Sequence, residues 1–148
     1  MCVADALHDH GWYNGHAMEQ PPLHLPKAST MAAERGEPAV PFDRRYPTVA
    51  SVTVRVSEMS GGPERVFRKR EIGTYVDCVE PLCDGGGFRI DRLLDEMVAK
   101  GERTREEMAT CIGQQRASGR GKRPGRVLGH CTRIYRVGIE LKLRKSRA

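Results

Sequence analysis

Aromatic residues are scarce in this chain: one Trp, four Tyr and three Phe among 148 residues. A core built mainly on packed rings is therefore excluded. Long apolar runs are missing as well, and none approaches the ~18 residues of a membrane-spanning helix. The opening MCVADALHDHGWYNGHAMEQPPLHLPKAST has neither the basic start nor the apolar stretch of a secretory signal. Past residue 30 only one histidine remains, His130. With that single histidine no Ser-His-acid set can be argued, and no other catalytic constellation stands out, so the chain is read as a non-enzyme.

The chain is 39% hydrophobic and 30% charged, which suits one soluble domain with some tail. The first thirty residues show no helical or strand period and contain Pro21, Pro22 and Pro26, and the stretch up to residue 45 follows as linker. They read as a disordered leader and linker. Met31 followed by AAERGEP looks like an ordinary protein start, so either the true chain begins at Met31 or residues 1–30 are a genuine flexible tail. Residues 46–148 are expected to form one small domain with a basic C-terminal third. Its sparse stock of large side chains favours a staple.

Three strands and two helices are expected. VASVTVRVS (49–57) alternates, with Val52, Val54 and Val56 on one face, and RVFRKREI (65–72) follows a Gly-Gly-Pro turn to complete a hairpin. FRIDRLLDEMVAKG places Ile90, Leu93, Leu94, Met97 and Val98 on one helical face, with Gly101 as the stop. Thr104 and Glu107 fit a capping box that opens a shorter helix toward Cys111. Residues 113–126 read as loop. TRIYRVGIELKLRK then alternates through Tyr135, Val137, Ile139, Leu141 and Leu143 as the last strand. The expected fold class is α+β: a three-stranded antiparallel sheet in the order β-β-α-α-β, helices on one face, stapled by a metal.

The staple rests on four cysteines. Cys78 and Cys83 follow the second strand, Cys111 ends the expected second helix, and Cys131 precedes the last strand. If the last strand runs antiparallel to the second, all four thiols meet at one end of the sheet. Four thiolates hold zinc tetrahedrally, and such sites contribute folding energy outright. Gly85, Gly86 and Gly87 would let the backbone pass close to the metal. Four buried apolar thiols, two disulfides or a redox switch remain as alternatives. No signal of an oxidising compartment is present, so the expected location is cytoplasmic. His130 is read as a neighbour of the cluster rather than a ligand.

Charge is divided unevenly. Residues 1–112 carry 14 Lys+Arg against 18 Asp+Glu, whereas residues 113–148 carry 11 Lys+Arg against a single acid, Glu140. Such asymmetry points to nucleic acid or another acidic surface. The candidate phosphate contacts are Arg116, Arg120, Lys122, Arg123 and Arg126 in the loop, with Arg136, Lys142 and Arg144 on the polar side of the last strand. The octapeptide GRGKRPGR resembles the minor-groove AT-hook, whose core is Gly-Arg-Pro in basic flanks; here Lys122 stands before Arg123 and Pro124 where that motif has glycine. Aromatic platforms for stacking bases are lacking on that face. The DGGGF stretch lacks the Walker and Rossmann spacings and reads as a turn.

The functional expectation is a small zinc-stapled binding module that contacts nucleic acid through this basic loop and strand. The alternative is a protein-interaction module in which the last strand pairs edge to edge with a partner. A thiol-based redox sensor stands third. Neither a membrane nor a small-molecule substrate is indicated.

Overall fold

A computed structural model describes residues 24–119 and 123–145. The elements are α1 (Ala28–Glu34), α2 (Phe42–Arg45), β1 (Val49–Glu58), β2 (Arg65–Arg68), a 3-10 turn (Lys69–Glu71), β3 (Tyr75–Asp77), β4 (Cys83–Asp84), β5 (Gly87–Arg89), α3 (Ile90–Lys100), β6 (Thr104–Thr110), β7 (Gln114–Arg116), β8 (Val127–His130) and β9 (Ile134–Leu143). Three sheets result, with strand orders β2-β1-β9-β6, β3-β5 and β4-β7-β8.

The expected α+β fold with a three-stranded sheet is corrected by this arrangement. Among the described residues the protein is mostly β, with nine strands in three sheets, the largest four-stranded, and few helices. The main reason lies in residues 104–110. The Thr104 to Glu107 pattern suggested a helix, yet TREEMAT pairs with β9 at seven consecutive positions. One side of β9 is already occupied by β1. The other side would leave a row of N–H and C=O groups without partners. TREEMAT has no strong apolar period of its own, so the partner strand sets its conformation. Its Arg105 turns toward α3 and forms ion pairs with Glu102 at 2.5 Å and Glu96 at 3.2 Å.

The alternating strands behave as their period requires. Val52, Val54 and Val56 of β1 and Tyr135, Val137, Ile139 and Leu141 of β9 are buried on the inner face, against Leu94 and Met97 of α3. On the outer face Arg55, Arg136, Glu140 and Lys142 are exposed. The α3 helix ends at Gly101 in the left-handed conformation (φ 68°), as the sequence indicates. Its first turn carries Asp91, buried and gripped by Arg89 (2.5 Å) and Arg45 (2.8 Å). The Tyr46 hydroxyl donates to Asp95 at 2.6 Å.

Residues 24–45, assigned above to leader and linker, contain two short helices and join the folded unit. Leu25 and Ala28 are buried. The Leu25 amide donates to the Pro81 carbonyl, Gly85 to Pro26, and Ala28 to Gly86. Residues 1–23 lie outside the described residues.

Candidate metal centre

The sulfur cluster is assembled by three structures of different origin. Tyr75–Asp77 (β3) feeds Cys78 into the loop Val79–Leu82, and Cys83 opens β4. Cys111 follows the last residue of β6, and Cys131 lies between β8 and β9. The sequence argument for convergence took the second and last strands as antiparallel. In the structure β2 and β9 are both antiparallel to β1, hence parallel to each other and not neighbours. The thiols still meet, because the chain reverses through the 3-10 turn and β3 before it reaches Cys78.

All four cysteines are buried and none is in a disulfide. Their sulfurs lie within 4.8 Å of one another, with Cys83 to Cys111 at 3.5 Å and Cys78 to Cys131 at 4.0 Å. A tetrahedral ion with metal–sulfur bonds of ~2.3 Å spaces its sulfurs ~3.8 Å apart. The tetrad therefore fits one metal ion and can hold it. His130 is exposed on β8 and is not a member of the cluster.

The backbone is shaped around the sulfurs. A Cβ placed on Gly86 would lie 2.2 Å from Cys83 Sγ and 3.1 Å from Cys111 Sγ; one on Gly113 would lie 2.5 Å from Cys83 Sγ. Neither position has room for a side chain. The Gly87 and Gly113 amides donate to Cys111 Sγ at 3.3 and 3.4 Å. The Tyr135 hydroxyl donates to Cys78 Sγ and accepts from the Val79 amide at 3.2 Å. The role of Gly86 was legible in the triple glycine, whereas Gly113, Tyr135 and Lys27 were missed. The C-I-G spacing was the only available signal for Gly113. Nothing local marks the reach of the Tyr135 hydroxyl or of Lys27, whose ammonium binds the carbonyls of Glu80 and Cys83.

The thiols divide charge unequally. Hydrogen bonding from Cys111 holds Cys78 down to about 4 against the opposing effect of burial. Burial pushes Cys83 up to about 12. Cys111 is raised by its bond to Cys78 and then by burial. A metal binds such groups as thiolates, so a cation that binds here displaces the protons the thiols hold. Four thiolates around a divalent ion leave a doubly negative centre. Lys27, whose ammonium binds the Cys83 carbonyl at 2.8 Å, is a cation placed to offset it. Arg133 is already taken up by Glu58 and Glu80.

The candidate phosphate contacts are not gathered at one place. Arg116 is turned back onto Asp84 (2.9 Å) and the Gly125 carbonyl (3.1 Å). Arg144 is tied to the Pro47 carbonyl at 3.0 Å and faces Asp43. Arg136 and Lys142 are exposed on the outer face of β9, while Arg123 and Arg126 are exposed on the connection between β7 and β8. Arg120 and Lys122 lie outside the described residues. Arg68 of β2 is separated from β9 by β1, so it does not extend the basic face of β9.

No protein-family model, curated protein or solved structure matches this chain. No helix among the described residues is long and apolar enough to cross a membrane.

Proposed function

We propose that the protein is a zinc-stapled binding module that engages the phosphate backbone of nucleic acid in a reducing, cytoplasmic setting. The supporting observation is the placement of a closed four-sulfur site at the root of the β7–β8 hairpin, whose connection presents Arg123 and Arg126. With four protein ligands the ion has no position left for substrate, which suits a structural role. Zinc is the metal best matched to four thiolates in a closed tetrahedron. The staple would fix the hairpin against the main sheet, and the basic connection would exchange counterions for phosphates.

Elemental analysis of freshly purified, tag-free protein tests the staple: one zinc per chain is expected, and metal-free protein with an unchanged melting curve would overturn it. Binding to random duplex DNA and RNA, followed against salt, tests the surface. A log–log slope equivalent to several released ions is expected, reduced when Arg123 and Arg126 are both changed to Ala. No binding at low salt removes the nucleic-acid reading.

A second reading, protein interaction, is favoured by exposed Ile112, Val127, Leu128 and Ile134 around the cysteine end. The strand available for pairing would not be the last one, since both edges of β9 are bonded, to β1 and β6. It would be β8, which ends its sheet.

A further inference from the structure

Gly138 sits on the outer face of the main sheet, in the strand that runs between β1 and β6. It is paired with Arg55 of β1 on one side and with Glu106 of β6 on the other. A Cβ built on Gly138 meets nothing within 4 Å, and its φ lies outside the left-handed region. Neither packing nor backbone conformation within the described residues therefore requires glycine here. Glycine nevertheless weakens a strand interior, and a strand glycine marks a place where another backbone can approach closely.

Four charges surround this bare spot. Arg55 and Glu106 flank Gly138 across the sheet, and Arg136 and Glu140 flank it along β9. Neighbouring strands lie about 5 Å apart and alternate residues of one strand about 7 Å apart, so the four form a compact ring. All four are exposed. Among the described residues Arg136, Glu106 and Glu140 have no ion-pair partner, and Arg55 has only the half-exposed Glu64 at 3.3 Å. Around the ring the order is Arg55, Arg136, Glu106, Glu140, two cations followed by two anions. The diagonal that separates Arg55 from Glu140 also separates Arg136 from Glu106. It runs from Thr53 through Gly138 to Met108, which is 63% exposed.

We propose that this face binds a second copy of the chain, sheet against sheet, about a two-fold axis along that diagonal. The operation sets Arg55 on Glu140 of the second copy and Arg136 on Glu106 of the second copy, and each pair occurs twice, as a two-fold interface requires. Gly138 meets Gly138 at the centre and Met108 meets Met108 on the axis. The strands of the two sheets cross steeply, an arrangement known for packed sheets. The balance of two cations and two anions suits a like surface better than a polyanion, and Lys142 and Arg68 fall at the margin. The overlap is at the small end of specific interfaces, so a weak, salt-sensitive dimer is expected, with Kd on the order of 10–100 μM. The interface is independent of the metal and of Arg123 and Arg126 on the basic hairpin.

The test is sedimentation equilibrium of the full chain at up to about 0.5 mM, several times the expected Kd. The wild type is expected to be dimeric at the top of this range and to dissociate as salt is raised. Arg136→Glu and Glu106→Arg each set like charges against each other twice, and each alone is expected to dimerise at least about tenfold more weakly. Mixed, the two variants restore both pairs, so a dimer containing one of each is expected at near wild-type affinity. Gly138→Thr suits a strand better than glycine, so its melting temperature should be equal or higher while its dimer is weakened at least about fivefold. A monomeric wild type, undiminished dimerisation of either charge variant, no association in the mixture, or an unaltered dimer in Gly138→Thr would each overturn the proposal. None of these outcomes bears on the metal or on nucleic-acid binding by the hairpin.

Discussion

The hydroxyl of Tyr135 donates a hydrogen bond to the sulfur of Cys78 across 3.1 Å. The two residues are 57 positions apart in the chain, so this bond couples the central strand of the main sheet to the first arm of the sulfur cluster. Tyr135 is held in place by burial and by packing of its ring on Phe88, with centroids 5.7 Å apart. Tyr135→Phe keeps the ring and removes only the bond. Partners of metal ligands typically matter about 10–100-fold in metal affinity. Competition with a coloured chelator should therefore show metal held at least about tenfold more weakly, and equal retention would show that the hydroxyl does not support the centre.

The loss of a ligand is expected to be more severe. Cys131→Ser leaves three sulfurs, and the fold should lose several kcal/mol, about 3 or more, when the metal-loaded proteins are compared by denaturant unfolding. Treating the wild type with a strong chelator should lower its stability toward that of the variant. If neither treatment moves the unfolding midpoint, the cysteines are only packed thiols.

Gly86 and Gly113 provide a steric test that needs no change of ligand. Alanine at either position drives a methyl group into Cys83 Sγ. Overpacking of this kind costs about 1–3 kcal/mol, and metal retention should fall with it. Gly73→Ala is the control, since a Cβ there meets nothing within 4 Å. Equal stability of all three variants would contradict the close approach.

Asp91 predicts a dependence on pH. Burial opposes its ionisation, but hydrogen bonds from Arg89 and Arg45 outweigh that effect and hold the carboxyl below its ordinary value. A carboxyl lowered by folding contributes stability that is complete above its unfolded pKa, near 3.9, and that fades as pH falls through the lower folded value. Asp91→Asn should thus be destabilised by about 3 kcal/mol near neutrality, and the gap to wild type should narrow at acid pH. A gap of constant size from pH 7 to acid would show that the ion pairs contribute no pH dependence.

The segment before Met31 should matter as well. A chain that starts at Met31 lacks Leu25, Lys27 and Ala28, together with their bonds to the cysteine loop. Compared with a chain that starts at His24, it should be less stable by about 2 kcal/mol or more and release metal faster to a chelator. Identical melting and release would show the strap to be dispensable.

Residues with a strong period were legible without coordinates. The alternation of Val52, Val54 and Val56, that of Tyr135 to Leu141, and the helix from Ile90 to Gly101 each bury a face that no other conformation buries. Thr104 to Thr110 was not legible, because its weak pattern permits either state and the unpaired edge of β9 chose between them. The cluster was anticipated for a strand relationship that does not occur. The Cys78 to Cys83 pair and the glycines beside it carried enough signal for the loop, while the actual path through β3 did not show in the residues.

The amino-acid order by itself determined which side chains must leave water: the period-2 and period-3.6 patterns act over neighbouring residues and need no distant partner. It also determined that four thiols and a basic C-terminal third were available. Only the tertiary structure decided which sulfurs face one another, that Gly113 and Tyr135 complete their surroundings, and that β9 lies between β1 and β6. Those relationships join residues tens of positions apart, and their free energy arises only after several elements have packed together.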